Sequence, residues 1–113
     1  MNPISPAERR ELARKARDAF PPMGVYAIRD RVNGCVRVAS SRNVHAAINR
    51  AQFELRQGQH KDRDLQQAWK HDGPERIAFE VLELVKERTE AGFDYGAELK
   101  DLEALHRAML EAA

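Results

Sequence analysis

The chain has 113 residues, of which 33% are charged and 42% hydrophobic, with a single cysteine. That composition describes one globular domain with a modest core and excludes a disordered chain. It also excludes an internal disulfide, because Cys35 has no partner, and no apolar run approaches the roughly 20 residues of a membrane-spanning helix. Residues 1–17 carry acids and lack an apolar core, which argues against a signal or transit peptide and makes the cytoplasm the expected compartment. Net charge is only +1, yet residues 1–63 hold 13 basic and 6 acidic side chains (+7), and residues 64–113 hold 6 and 12 (−6). A basic half is an electrostatic footprint for phosphate. Surface charge that is merely segregated explains it equally well.

In chain order, Ser5-Pro6-Ala7-Glu8 has the form of a capping box with proline at the first helical position. It predicts a helix over about Pro6–Phe20, stopped by Pro21-Pro22, with Leu12, Ala13, Ala16, Ala19 and Phe20 as its inward stripe. Val25–Arg29 and Cys35–Ser40 read as strands joined by a loop ending in Asn33-Gly34, a hairpin signal. Alternation places Tyr26 and Ile28 on one face, Val25 and Ala27 on the other. Helices follow over Val44–Gln57, capped by Asn43 and ended by Gly58, and over about Asp62–His71, ended by Asp72-Gly73-Pro74. Ile77–Leu84 alternates as a third strand. Residues 86–96 form a polar connection, and Ala97–Glu111 closes the chain with Leu99, Leu102, Leu105 and Met109 inward. The expected fold is α/β of the α+β kind: a small three-stranded antiparallel sheet flanked by helices, with an extra helix at the N-terminus.

The run GVYAIRDRVNGCVRVASSRN, residues 24–43, resembles the opening of the GIY-YIG nuclease domain, in which two tripeptides sit on neighbouring strands. Gly24-Val25-Tyr26 matches the first tripeptide. At the second, Arg37 replaces the tyrosine and Ala39 the glycine. Later landmarks are co-linear with it: Asn33-Gly34, Ser40-Ser41, the stretch from Phe53 to His60, Leu65–Trp69, Phe79–Glu83 and Leu102-Glu103. The resemblance spans about residues 24–110, which makes residues 1–22 an N-terminal extension and residues 23–113 the GIY-YIG-like domain.

The resemblance implies a metal-dependent endonuclease that hydrolyses phosphodiesters of DNA with Mg²⁺ or Mn²⁺. Glu103 falls at the metal-ligand position, Tyr26 at the first tyrosine and His60 at a supporting histidine. The family's helix arginine falls on Ala47. Losing that fork removes donors matched to phosphate geometry, and removing one preorganised charge stabiliser costs about 10²–10³ in rate. Arg37, on the strand paired with that of Tyr26, and Arg50, one helical turn after Ala47, are the candidates to restore the charge. Arg29, Arg42 and Arg56, with Arg31, are the expected nucleic-acid contacts. No small-molecule cofactor or membrane is implied, and either a partner protein supplies specificity or there is none. The alternative is a catalytically inactive module that keeps the fold and binds nucleic acid or protein. Trp69 reads as a core anchor, and the spacing of His45, His71 and His106 against Cys35 is not that of a zinc site.

Overall fold

The computed structural model describes residues 4–18 and 20–112. Helix α1 (Pro6–Asp18) precedes strands β1 (Gly24–Asp30) and β2 (Val36–Ser41) and helices α2 (Val44–Gln57) and α3 (Arg63–Asp72). A 3-10 turn at Pro74–Arg76, strand β3 (Ile77–Leu84) and helix α4 (Tyr95–Ala112) complete the order. The sheet runs β2-β1-β3, antiparallel at both pairings. This is the α+β architecture that the periodicity predicts. None of the described helices is long and apolar enough to cross a membrane.

The local signals act as their chemistry dictates. Ser5 Oγ accepts from the Glu8 N–H at 3.1 Å, and Asn43 Oδ1 accepts from the Ala46 N–H at 3.0 Å. Gly58 ends α2 in the left-handed region at φ 74°, which a side chain would resist. Gly24 serves a different need: an added Cβ would run into the Glu83 carbonyl of β3, so only glycine lets the two strands pair at that level.

The hairpin turn is held from outside itself. Asp30, 3% exposed, accepts from the Val32 N–H at 3.0 Å and from Arg76 Nε and Nη2 at 2.8 and 2.9 Å. Arg76 also donates from Nη1 to Asp72 at 2.7 Å. One guanidinium thus ties the β1–β2 turn to the α3–β3 connection. Its hydrogen bonds outweigh the effect of burial and hold the Asp30 carboxyl at about 2, well below the usual carboxylate range.

Two clusters form the core. Ile28, Ala51, Leu55, Leu65, Ala68 and Ile77 pack α2 and α3 onto one sheet face, with Tyr26, Trp69 and Phe79 against them. Met23, Val85 and Leu99 gather at the start of α4, with Phe20, Tyr95 and Leu102 beside them. Val25 and Ala27, on the other face of β1, are fully buried.

Two expected inward stripes are corrected. Leu12 is 53% exposed and Ala13 is exposed, while Phe20 lies beyond α1 and stacks with Tyr95 at 5.4 Å between ring centroids. The side chain of Ala16, and Ala19, lie outside the described residues. Both faces of β1 are covered by other helices, so the α1 stripe has no central strand to cover. On α4, Leu99 is buried and Leu102 half-buried, but Leu105 and Met109 are 52% and 56% exposed. Glu103, His106 and Arg107 turn toward the sheet instead, where each bonds to a strand residue.

Leu55 and Leu65 are each 1% exposed at the centre of the larger cluster. Replacing either by alanine should lower unfolding free energy by about 2–5 kcal/mol in a urea titration. Asp30, depressed in the folded chain, stabilises fully above its unfolded value of about 3.9. That contribution should fade as pH falls from about 4 toward about 2. In acid titrations followed by circular dichroism, Asp30→Asn should be less stable at neutral pH and less pH-dependent across that window.

Candidate functional site

The register of the sheet places the family-matched side chains. Tyr26 pairs with Ala39 on β2 and Val81 on β3, and Ile28 pairs with Arg37 and Phe79. Directly paired residues share a face, so Tyr26, Ala39, Ile28 and Arg37 all project toward α2 and α3. Val38 and Ser40 project the other way, toward α4.

Glu103 is anchored one residue from the partner of Tyr26. Ser40 Oγ donates to Glu103 Oε2 at 3.1 Å. Arg107, four residues on along α4, donates from Nη2 to Glu103 Oε1 at 2.8 Å and to the Val38 carbonyl at 2.9 Å. Tyr26 is half-buried, and burial pushes its phenol above the ordinary 10.0; the negative charge of Glu103 pushes it further. The tyrosine and the carboxylate are therefore electrostatically coupled, across the outer strand β2, from opposite faces of the sheet. A raised phenol stays protonated at neutral pH, so it can donate a hydrogen bond.

Arg37 and His60 belong to a second group. Arg37 forms an ion pair with Asp62 through Nε, and its Nη2 reaches the other carboxylate oxygen at 3.3 Å. Asp62 caps α3 by accepting from the Leu65 N–H at 3.1 Å, and its own N–H donates to His60 Nδ1 at 3.1 Å. The His60 N–H donates to Gln66 Oε1, and Gln66 Nε2 donates to the Leu55 carbonyl, both at 2.9 Å. Burial raises the Asp62 carboxyl, but the Arg37 hydrogen bond, the capping N–H and the nearby positive charges outweigh it, and the net shift is downward.

The other arginines are at the surface. Arg50 is 83% exposed and pairs with Glu54, one turn further along α2, at 3.3 Å. Arg29 pairs with Glu80 at 2.7 Å, and Arg31 donates to the Glu75 carbonyl at 3.1 Å. Arg42 and Arg56 are exposed. The structure thus sets Glu103 within electrostatic range of Tyr26, joins Arg37 to His60 through Asp62, and leaves Arg50 apart from both pairs.

A divalent ion is what this type of site implies for Glu103. The donors present do not fit one: both carboxylate oxygens are engaged, one by a cation. Among the described residues no group of three or more His, Cys, Asp or Glu side chains is placed to hold a metal. Sequence reasoning missed Arg107, Asp62 and Gln66. The i to i+4 spacing of Glu103 and Arg107 was a readable signal; the contact of Arg37 with Asp62 had none.

A central hairpin, two helices, a third strand and a closing helix define an α+β domain built on a three-stranded antiparallel sheet. The particular fold is that of the GIY-YIG domains. The catalytic domain of homing endonuclease I-TevI aligns with TM-score 0.62 and 21% identity, covering 79% of this chain and 88% of that one. A Glu-to-Ala mutant of the I-TevI intron endonuclease domain aligns with TM-score 0.62 and 19% identity, covering 79% of this chain and 84% of that one. By sequence, no family model and no curated protein matches the chain.

The coupling of Tyr26 to Glu103 can be read in solution. In a Tyr95→Phe background, ultraviolet titration of Tyr26 should give a midpoint above 10.0, and Glu103→Gln should move it down. An unchanged midpoint in Glu103→Gln would mean that burial alone sets it.

Proposed function

We propose that this chain is a GIY-YIG-fold module that binds nucleic acid through its basic half and no longer cleaves it efficiently. The fate of the arginines carries the reading. Arg37, nearest in register to Tyr26, is engaged by Asp62, and the helix position is Ala47. Among the described residues, neither of the two positions expected to supply a guanidinium beside Tyr26 offers a free one to neutralise charge at a phosphate, which is the role that preorganised donors serve in phosphodiester cleavage. Arg50 and Arg56 instead stand on the outer face of α2, three residues either side of Phe53, which is 56% exposed. Arginines spaced around an exposed aromatic suit phosphates and unpaired bases. The helix in residues 1–22 adds basic side chains outside the matched core.

The second reading keeps a Mg²⁺- or Mn²⁺-dependent endonuclease acting on DNA, with Glu103 as metal ligand, Tyr26 and His60 assisting, and Arg37 or Arg50 as charge stabiliser. The coupling between Tyr26 and Glu103 supports it, and the structural neighbour is an endonuclease domain.

Fluorescence anisotropy with single- and double-stranded oligonucleotides separates these outcomes. Binding should weaken by tenfold or more between about 50 and 200 mM salt. Arg56→Ala should weaken both substrates, and Phe53→Ala should cost about 1–3 kcal/mol on single strands. Plasmid nicking with Mg²⁺ or Mn²⁺ should be absent. Nicking that Glu103→Ala abolishes would establish the endonuclease reading, and salt-independent binding, or none, would remove nucleic acid as the ligand.

A further inference from the structure

Glu103 has a cation already. Arg107 Nη2 bonds to Glu103 Oε1 at 2.8 Å and to the Val38 carbonyl at 2.9 Å, so the guanidinium is clamped between α4 and the backbone of β2. Ser40 Oγ completes the carboxylate at Oε2, and the Glu103 side chain is 24% exposed. A divalent ion reaching Glu103 would have to displace a guanidinium tethered one helical turn away, whose effective concentration at the carboxylate is set by the helix itself. Otherwise it would share the site with a positive charge a few ångströms away.

We propose that Arg107 is a built-in cation that replaces a divalent metal at Glu103 and presents the rest of its guanidinium to a phosphate. Of the five guanidinium N–H donors, only those on Nη2 are committed among the described residues. Nε and Nη1 remain, and the side chain is 56% exposed. Arg107 lines a groove of about 590 Å³ between β2 and the end of α4, with Arg29, Val36, Val38, Leu110 and one acid, Glu111, among its walls. The remaining donors suit the bidentate geometry of a phosphate, and an arginine fixed by its other edge loses little freedom on binding one. The inference goes beyond nucleic-acid binding, since it concerns which cation Glu103 holds.

Mn²⁺ binding, followed by electron paramagnetic resonance on the purified chain without nucleic acid, tests the replacement. The unmodified chain should bind Mn²⁺ no more tightly than an isolated surface carboxylate does. Arg107→Ala should gain a site about tenfold tighter or better, lost again in the double variant Arg107→Ala, Glu103→Gln. Arg14→Ala removes the same unit charge and frees Glu11, and it should gain nothing. Arg107→Met, which keeps the apolar stem, should repeat the gain should the alanine variant fail to fold. A Glu103-dependent Mn²⁺ site of equal strength in the unmodified chain, no gain in either Arg107 variant, or an equal gain in Arg14→Ala overturns the replacement. In metal-free buffer, millimolar inorganic phosphate should shift the Arg107 Nε–H resonance, and an unmoved resonance overturns the phosphate role. Neither readout uses DNA, so failure here is distinct from failure of the module to bind nucleic acid.

Discussion

Strand β1 is hydrogen-bonded on both sides, and that constraint places every side chain of interest. Its pairing with β2 sets Tyr26 over Ala39 and Ile28 beside Arg37, while its pairing with β3 puts Val81 and Phe79 at the same levels. A register shift between Val25 and Tyr26 on the β3 side preserves both pairings. Because side chains alternate with period two, a one-residue slip would send Tyr26 to the α4 face and bury Val25 in the α2–α3 core. Gly24 makes the close approach of β3 feasible at the strand's first residue. The register is therefore set by packing at three points along one short strand.

A second regularity is that the arginines nearest the sheet act as joints between elements. Arg76 ties Asp30 of the hairpin to Asp72 of α3, Arg37 ties β2 to the cap of α3, and Arg107 ties α4 to the β2 backbone. Each cation is met by a carboxylate, a carbonyl or both. A phosphoryl-transfer site works the other way, holding cationic donors free of internal anions so that charge developing on the substrate meets them. The three arginines nearest the sheet are thus committed to cohesion.

The electrostatic relation of Tyr26 to Glu103 is consistent with the scaffold while differing from a metal site in its consequence. Burial contributes more than Glu103 to the raised phenol. A protonated tyrosine on a half-buried strand is a hydrogen-bond donor, well suited to hold a phosphate oxygen or a water and poorly suited to remove a proton.

The elements themselves were legible in the amino-acid order because their causes are local. Ser5 and Asn43 at helix starts, Gly58 at a helix end, Asn33-Gly34 at the turn and the alternation of apolar residues with acids in β3 each act over a few residues. The pairing of Tyr26 and Ile28 on one face followed from alternation alone, and the co-linear landmarks pointed to the fold that the I-TevI domain shares. What only the tertiary structure decided was the partner of each charge. Arg37 meets Asp62 across 25 residues of chain and Ser40 meets Glu103 across 63, and no periodicity records contacts of that span. The same is true of α4, where leucine spacing predicted an inward Leu105 and Met109, but three polar contacts with the strands rotated Glu103, His106 and Arg107 into that place. Local propensity specifies which segments are helix or strand; which ions neutralise one another depends on where the folded chain brings them.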